Sequence, residues 1–370
     1  MRVGLVLGAG GVIGGAWMTG GLYALATETG WDPADADYVV GTSAGSMISA
    51  LLASGIPPWF MVAHSRGETF QEIVDANGNP AYEADRSGGA VFRPHGGVPT
   101  LIPGSLPLAL RGITQPNRHS PATVLSGWLP KGPFSTEPLK DVVRRVVPEG
   151  WSPHPNLWVV ACDHSSGERV AFGHESAPQA QLADAVAASC AIPGFYHPVE
   201  IGGRAYVDGG VCSASNLDLL AGHDLDVVIC LNPTSTLHPL RALNPRLWPN
   251  FFMHRGSGRR LGSEAKRVRA EGTGVVLVQP TGRDLEVMGT NLMSSGRRND
   301  VITLAIETVR EQLRAPEVRE LLTGLPKGAA DKIHRPDERP ARWPKLRELS
   351  ERIRGRQPEP EPAVVDSTTA

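Results

Sequence analysis

The sequence predicts an α/β fold with a central, mostly parallel sheet, and two segments carry this prediction. Val3–Leu7 is a short apolar strand that runs into a glycine-rich loop, after which apolar residues repeat at helical spacing. A second apolar run, residues 39–40, enters Gly-Thr-Ser-Ala-Gly and is also followed by a helical pattern. Successive strand–loop–helix units are typical of parallel sheets whose loops meet at the carboxyl ends of the strands.

Length, charge and composition narrow the class of protein. The 370 residues suffice for one large α/β domain or two ordinary ones. A formal net charge of −2 gives no general basic surface, so we expect no nucleic-acid partner. Residues 4–26 are nearly uncharged, but their eight glycines suit a folded loop better than a signal peptide, so we expect a cytoplasmic protein. The four cysteines are widely spaced and are predicted to be reduced core residues.

Residues 41–45 have the Gly-x-Ser-x-Gly pattern of a nucleophile elbow. Gly41 and Gly45 lack side chains and let strand and helix approach closely, while Ser43 lies in a tight turn with its hydroxyl at a helix N-terminus. A serine- and glycine-rich turn that only caps a helix explains these five residues equally well. The neighbouring motifs must therefore decide.

Four glycines of the first loop could present backbone N–H groups to an anion: Gly8, Gly10, Gly11 and Gly14. Dinucleotide binding is one interpretation, but the strict GxGxxG pattern fails at Ile13. The elbow also stands where a ribose-binding acid would follow the second strand. The favoured interpretation is an oxyanion hole, which would stabilise the charge formed when Ser43 attacks an ester carbonyl.

Asp208 follows the second strand of a predicted hairpin and precedes Gly209 and Gly210. An acid at a strand end before two permissive glycines is held in a defined turn with its carboxylate free to face a cleft. A turn-capping aspartate is the alternative interpretation.

Taken in order, four elements resemble the patatin-like phospholipases: the glycine loop, the elbow, the stretch 182–193 (Leu-Ala-Asp-Ala-Val-Ala-Ala-Ser-Cys-Ala-Ile-Pro) and the Asp-Gly-Gly turn. The resemblance covers about residues 1–55 and 155–315. It implies a three-layer α/β sandwich and a catalytic dyad, with Ser43 as nucleophile and Asp208 as base. It also implies that Gly10 and Gly11, and less directly Gly8 and Gly14, form the oxyanion hole. The expected substrate is a lipid or other acyl ester, and no metal or cofactor is required.

One position departs from the pattern of this family. Its loop usually has Arg or Lys before the last glycine, where this chain has Ile13, followed by an added Gly15. Backbone donors survive that change, whereas a cationic contact to a substrate phosphate does not. The loop therefore keeps what ester hydrolysis needs and lacks the basic residue that would contact the phosphate of a phospholipid.

The sequence divides into a catalytic domain, residues 1–323, and a charged, proline-rich, partly disordered tail, residues 324–370. Residues 56–153 are predicted to be an insertion or cap rich in loops, and the apolar stretch 101–110 is expected to pack in a core rather than admit acyl chains. The basic segments 255–269 and 341–356 are interpreted as solvated helices, with peripheral membrane contact as the alternative.

Three alternatives to the dyad hydrolase remain open from the sequence. A Ser–His–Asp triad would need His197 or His223 to follow an acid such as Asp163. A non-catalytic lipid-binding protein would leave the serine and aspartate without a chemical role. An acyltransferase would use the same dyad and transfer the acyl group to an acceptor other than water.

Overall fold

A computed structural model describes residues 1–68, 92–96, 102–114, 120–236 and 248–335, without the side chains of 248–255. The strands are β1 (Val3–Leu7), β2 (Tyr38–Thr42), β3 (Arg93–Pro94), β4 (Phe134–Ser135), β5 (Leu157–Asp163), β6 (Arg169–Phe172), β7 (Val199–Ile201), β8 (Arg204–Asp208), β9 (Val227–Leu231) and β10 (Gly274–Val278). Strands β3 and β4 pair with each other, and the other eight form one sheet.

This sheet is mostly parallel, as the sequence predicts. Strands β10, β9, β1, β2 and β5 lie side by side in that order, each parallel to its neighbour. Strand β8 then pairs antiparallel with β5, β7 pairs antiparallel with β8, and β6 also pairs antiparallel with β5. All residues of β1, β5 and β9 are buried, because helices cover both faces of the parallel part.

The helices are α1 (Gly11–Thr29), α2 (Ala44–Ala53), α3 (Pro58–Ser65), α4 (Leu106–Thr114), α5 (Pro121–Trp128), α6 (Glu137–Arg144), α7 (Leu182–Ser189), α8 (Trp248–Arg269), α9 (Gly282–Met288), α10 (Arg298–Leu313), α11 (Pro316–Leu322) and α12 (Ala330–Ile333). Alternate residues of β1 belong to two separate apolar clusters, Leu5 and Leu7 to one and Val6 to the other. Helices α1, α2, α3, α7 and α10 contribute to the first cluster and α8 to the second, so the sheet is the middle of three layers. The predicted sandwich is confirmed.

Helix α8 contains the basic segment 255–269, which is only in part the solvated face that its composition predicts. Leu261, Ala265 and Val268 follow one another at helical spacing and are buried against the sheet. The charged residues lie around this stripe, and Arg260 pairs with the buried Glu264 at 3.0 Å. The segment is therefore the outer layer of the fold on that side.

The segment predicted as an insertion, residues 56–153, is continuous with the core at both ends. Helices α3 and α6 bury apolar side chains in the main cluster. Helices α4 and α5 pack against each other, and α5 contacts the short helical turn, residues 209–211, that follows β8. The sequence predicts that residues 101–110 pack in a core. Leu108 and Ala109 are buried, whereas Leu106 and Leu110 are exposed, so only one side of α4 packs as expected.

The first part of the predicted tail, residues 324–335, packs on the preceding part of the fold. Leu325 and Ile333 are buried, and the Trp59 indole donates a hydrogen bond of 2.9 Å to the Asp331 carbonyl. The basic segment 341–356 lies outside the described residues, and within the described ranges no helix is both long and apolar enough to cross a membrane. All four cysteines are free thiols, three of them buried and Cys212 half-buried, in agreement with the prediction of reduced residues.

Candidate active site

Ser43 lies at the sharp turn between β2 and α2. Its backbone has φ 53° and ψ −124°, a conformation that residues with a side chain seldom adopt. The turn depends on close approach at both glycines. A β-carbon on Gly45 would lie 2.0 Å from the Leu7 carbonyl oxygen, and one on Gly41 would lie 2.6 Å from the Ser46 Cα. Both positions of the elbow therefore exclude any side chain.

Ser189 supports this turn through hydrogen bonds, a role that the sequence does not predict. The Ser43 backbone N–H donates to Ser189 Oγ at 2.8 Å, and Ser189 Oγ donates to the Val160 carbonyl at 2.6 Å. The last residue of α7 thus ties the elbow to β5. The sequence places Ser189 only on the buried side of a helix, and nothing local indicates its partner.

Asp208 reaches the same place through the register of the sheet. Thr42 of β2 is opposite Val160 of β5, and the next residue of β5, Ala161, is opposite Asp208. The Asp208 carboxylate accepts a hydrogen bond of 2.7 Å from the Gly210 N–H, and the Ser43 hydroxyl lies near enough to lower the pKa of Asp208. Strand β5 therefore brings together two residues that are 165 positions apart in the sequence.

Burial changes the acidity of Asp208. Both Asp208 and Ser43 are only 5% exposed. Loss of hydration raises the pKa of Asp208 to about 6, although the Ser43 hydroxyl and the Gly210 N–H act in the opposite direction. A carboxylate of this basicity is ionised at neutral pH and accepts a proton more readily than an exposed aspartate.

The glycine loop is held by carbonyl groups from distant parts of the chain. Ala9 donates its N–H to the Ala214 carbonyl at 2.8 Å, and Ile13 donates to the Leu292 carbonyl at 3.0 Å. The Ile13 side chain is fully buried, so the position at which the family usually has a cation points into the core in this chain. The loop of this chain therefore has no basic side chain at this position to contact a substrate phosphate.

Two of the four loop glycines donate their N–H groups to carbonyls within the chain. Gly8 donates to the Leu231 carbonyl at 3.0 Å, and Gly14 donates to the Gly10 carbonyl at 2.9 Å, which removes both from the expected oxyanion hole. Gly10 and Gly11 have no acceptor for their N–H groups among the described residues. Gly11 has φ +60°, and both groups stand at the positive N-terminus of α1.

The loop lies beside the elbow and beside the aspartate turn. A β-carbon on Gly15 would lie 3.7 Å from the Ala44 Cβ, and one on Gly210 would lie 3.3 Å from the Ala9 Cβ. A buried acid, a strained serine and unpaired backbone donors therefore meet at the carboxyl ends of β1 and β2. This combination is the one that acyl transfer through a serine requires.

The two candidate triad histidines have other neighbours. The His223 ring contacts the Tyr38 ring with centroids 4.8 Å apart. Tyr38 begins β2 whereas Ser43 follows it, and the rise of about 3.3 Å per residue puts roughly 15 Å between them. The His197 ring stacks on His95 at 3.7 Å, and burial followed by the charge of His95 lowers the pKa of His197. Within the described ranges, neither ring has a hydrogen bond to Ser43 or Asp208.

Asp163, the acid of the alternative triad, already has hydrogen-bond and ion-pair partners. It accepts hydrogen bonds from the Ser165 and Ser166 N–H groups at 2.8 and 2.9 Å and pairs with Arg204 at 3.1 Å. Burial alone would raise its pKa, but these partners lower it. Asp163 shapes the turn between β5 and β6. Among the described residues, no three His, Cys, Asp or Glu side chains are grouped to hold a metal ion.

The sequence pattern of the patatin-like phospholipase family matches residues 5–221, more than half of the chain. The chain belongs to the patatin-like phospholipases. Membership of this family supports lipid hydrolysis and a lipid substrate. The matched residues contain the glycine loop, the elbow and Asp208. The chain is also similar to the crystal structure of VipD from Legionella pneumophila at 14% identity and a TM-score of 0.39, an alignment that covers 96% of this chain and 74% of that one.

Proposed function

We propose that this chain is a serine acyl hydrolase that cleaves carboxylic esters of lipids through Ser43 and Asp208. The observation that carries the proposal is the buried Asp208 carboxylate beside the hydroxyl of a serine in a strained elbow, where that hydroxyl lowers the pKa of the acid. An aspartate that only capped its turn would not need to lie beside this hydroxyl. Membership of a lipid hydrolase family supports the class of substrate.

In the first half of the reaction, Asp208 accepts the proton of Ser43 as Oγ attacks the ester carbonyl. The carbonyl oxygen becomes negative, and the N–H groups of Gly10 and Gly11 at the N-terminus of α1 stabilise that charge. The tetrahedral intermediate then collapses, and the protonated Asp208 gives its proton to the departing alcohol oxygen. The acyl group is left on Ser43.

In the second half, water attacks the acyl-serine ester while Asp208 accepts the proton of the water. The same N–H groups hold the second oxyanion, and the Ser43 oxygen takes back a proton when the fatty acid leaves. A pKa of about 6 suits both roles, because the group has to give and accept a proton near neutral pH. The buried Ile13 leaves phosphate binding to other residues.

The test is covalent labelling with a fluorophosphonate, which reacts with activated serines. The full chain should label at Ser43, and Ser43→Ala should label at no other residue. A panel of p-nitrophenyl esters and phospholipids then defines the acyl donor. Failure to label Ser43 in folded protein, together with no ester hydrolysis, would rule out the proposed function and favour a non-catalytic lipid-binding protein.

A further inference from the structure

One region of the structure holds almost all of the exposed large hydrophobic side chains. Seven of the eight such residues among the described ranges lie within residues 92–128. Phe92 packs against the rings of Phe134 and Phe195. The other six form what we call the apolar face: Ile102, Leu106, Leu110, Ile113, Leu125 and Trp128. Clusters of this kind on a protein surface mark sites of interaction.

The apolar face is not required for packing α4 against α5. The inner sides of the two helices are in close contact: a β-carbon on Gly112 would lie 2.2 Å from Val124 Cγ1, and one on Gly127 would lie 2.8 Å from the Ala109 backbone nitrogen. Leu106, Leu110 and Ile113 follow at helical spacing on the opposite side of α4, and Ile113 is 65% exposed. These three side chains are therefore left exposed on the outer side of the helix pair.

Hydrogen bonds fix this helix pair beside the candidate active site. Ser120 Oγ and Thr123 Oγ1, at the start of α5, donate to the Val211 carbonyl at 2.7 and 2.9 Å. Val211 belongs to the short helical turn that follows Asp208. The helix that carries Leu125 and Trp128 is therefore attached to the turn that directly follows Asp208.

The charge around this face indicates which lipid layer it would meet. The sequence has no Asp or Glu from residue 87 to residue 136, although acids make up 38 of the 370 residues. Arg111 on α4 and Lys131 after α5 are exposed, and neither has an acidic partner among the described residues. An apolar face bordered by unpaired cations is complementary to anionic headgroups above a hydrocarbon layer.

We propose that the apolar face docks the enzyme on an anionic lipid layer, with α4 and α5 lying in the headgroup region beside the acyl ester to be cleaved. The inference rests on the proposed function for its substrate. Trp128 suits this position, since tryptophan concentrates at membrane interfaces. A second copy of the chain fits less well, because two-fold pairing through this face would set its cations against one another.

The experiment is sedimentation of the full chain with vesicles of mixed phosphatidylglycerol and phosphatidylcholine, compared with pure phosphatidylcholine. The wild type should bind the anionic vesicles, and added salt should weaken binding. Leu110→Ser with Ile113→Ser should lower the partition coefficient at least about tenfold, because two large apolar side chains no longer enter the layer. Hydrolysis of a soluble short-chain ester by this variant should stay unchanged.

Arg111→Gln should weaken binding to anionic vesicles and leave binding to phosphatidylcholine unchanged. Arg319→Gln is the matched control, because it makes the same charge change on α11, which packs on β10 at the far edge of the sheet. It should bind like the wild type. If the double variant unfolds at a lower temperature than the wild type, Ile113→Ser alone must still bind more weakly.

Unchanged vesicle binding by the folded double variant would overturn the docking proposal and leave residues outside the described ranges as the membrane contact. A wild-type dimer that the double variant does not form, with no vesicle binding, would overturn it in favour of a second copy. Vesicle binding that depends on the apolar face, without labelling of Ser43, would support docking while ruling out the proposed hydrolase.

Discussion

Asp208 is placed where its charge is useful for chemistry and unfavourable for folding. The carboxylate is buried, and its pKa is raised from 3.8 to about 6. Only the ionised form can accept the proton of Ser43. We therefore expect kcat/KM for a soluble ester to increase with pH and to level off above an apparent pKa of about 6. A pH–rate profile between pH 4 and 9 measures this, and an acidic limb centred near 4 would contradict the burial of the base.

Asp208→Asn should remove activity and make the protein more stable at high pH. A raised pKa in the folded state means that the wild type loses stability as pH rises from the unfolded value through about 6. The uncharged amide escapes that loss, so the free energy of unfolding at pH 8 should increase by about 3 kcal/mol, and by less at pH 5. Urea unfolding at the two pH values measures the difference. An equal effect at both would show that the carboxylate charge is not the cause.

Ser189 is a positioning residue for the elbow, and Ser189→Ala tests it. The substitution leaves the Ser43 N–H and the Val160 carbonyl without their partner, which we expect to cost about 1–3 kcal/mol of stability. The rate of acylation should fall while KM changes little, because the hydroxyl of Ser43 is no longer held in place. Ser49→Ala is the matched control. The buried Ser49 hydroxyl has no hydrogen-bond partner among the described residues, so its loss should leave rate and stability almost unchanged.

At the scale of elements, the site depends on how closely α2 approaches the end of β1. Gly45→Ala would place a methyl group 2.0 Å from the Leu7 carbonyl oxygen, so we expect at least about 2 kcal/mol of destabilisation. Gly262→Ala makes the same chemical change in the middle of α8, where nothing lies within 4 Å of the added carbon. That variant should gain about 0.5–1 kcal/mol from helix propensity. Thermal unfolding of the pair separates close packing from the general effect of replacing glycine.

Elements whose signal is local could be predicted from the sequence, and elements that depend on distant contacts could not. The strands, the glycine loop and the elbow have distinctive residues at fixed spacing, and the family resemblance added the Asp208 turn. The partner of Ser189 comes from the pairing of β2 with β5, which the sequence does not state. The inner face of α8 was missed because its three apolar residues lie among many basic ones. The acceptor of the Gly8 N–H, the Leu231 carbonyl, comes from a distant strand, whereas the Gly14 N–H donates to Gly10 because α1 begins earlier than the loop pattern suggests.

At the scale of the whole molecule, the length of the parallel strands lies between the candidate site and the aromatic cluster of Tyr38, Trp158 and His223. The site lies where the parallel strands end, and His223 lies where they begin. We therefore expect His223→Ala to keep most of the ester hydrolysis, and His197→Ala likewise, since its ring is stacked on His95. Steady-state rates and thermal unfolding together test this. A loss of about a thousandfold in either folded variant would favour a triad over the dyad.

The order in which the chain is synthesised gives the glycine loop a further property. Its N–H groups are held by the carbonyls of Ala214, Leu231 and Leu292, although Ser43 and the loop itself lie near the N-terminus. A ribosome has therefore made Ser43 long before it makes the residues whose carbonyls hold the glycine loop. A nascent chain that already contains Ser43 and Asp208 still lacks Leu292. The candidate site is therefore complete only after Leu292 has been synthesised and has folded back onto the loop.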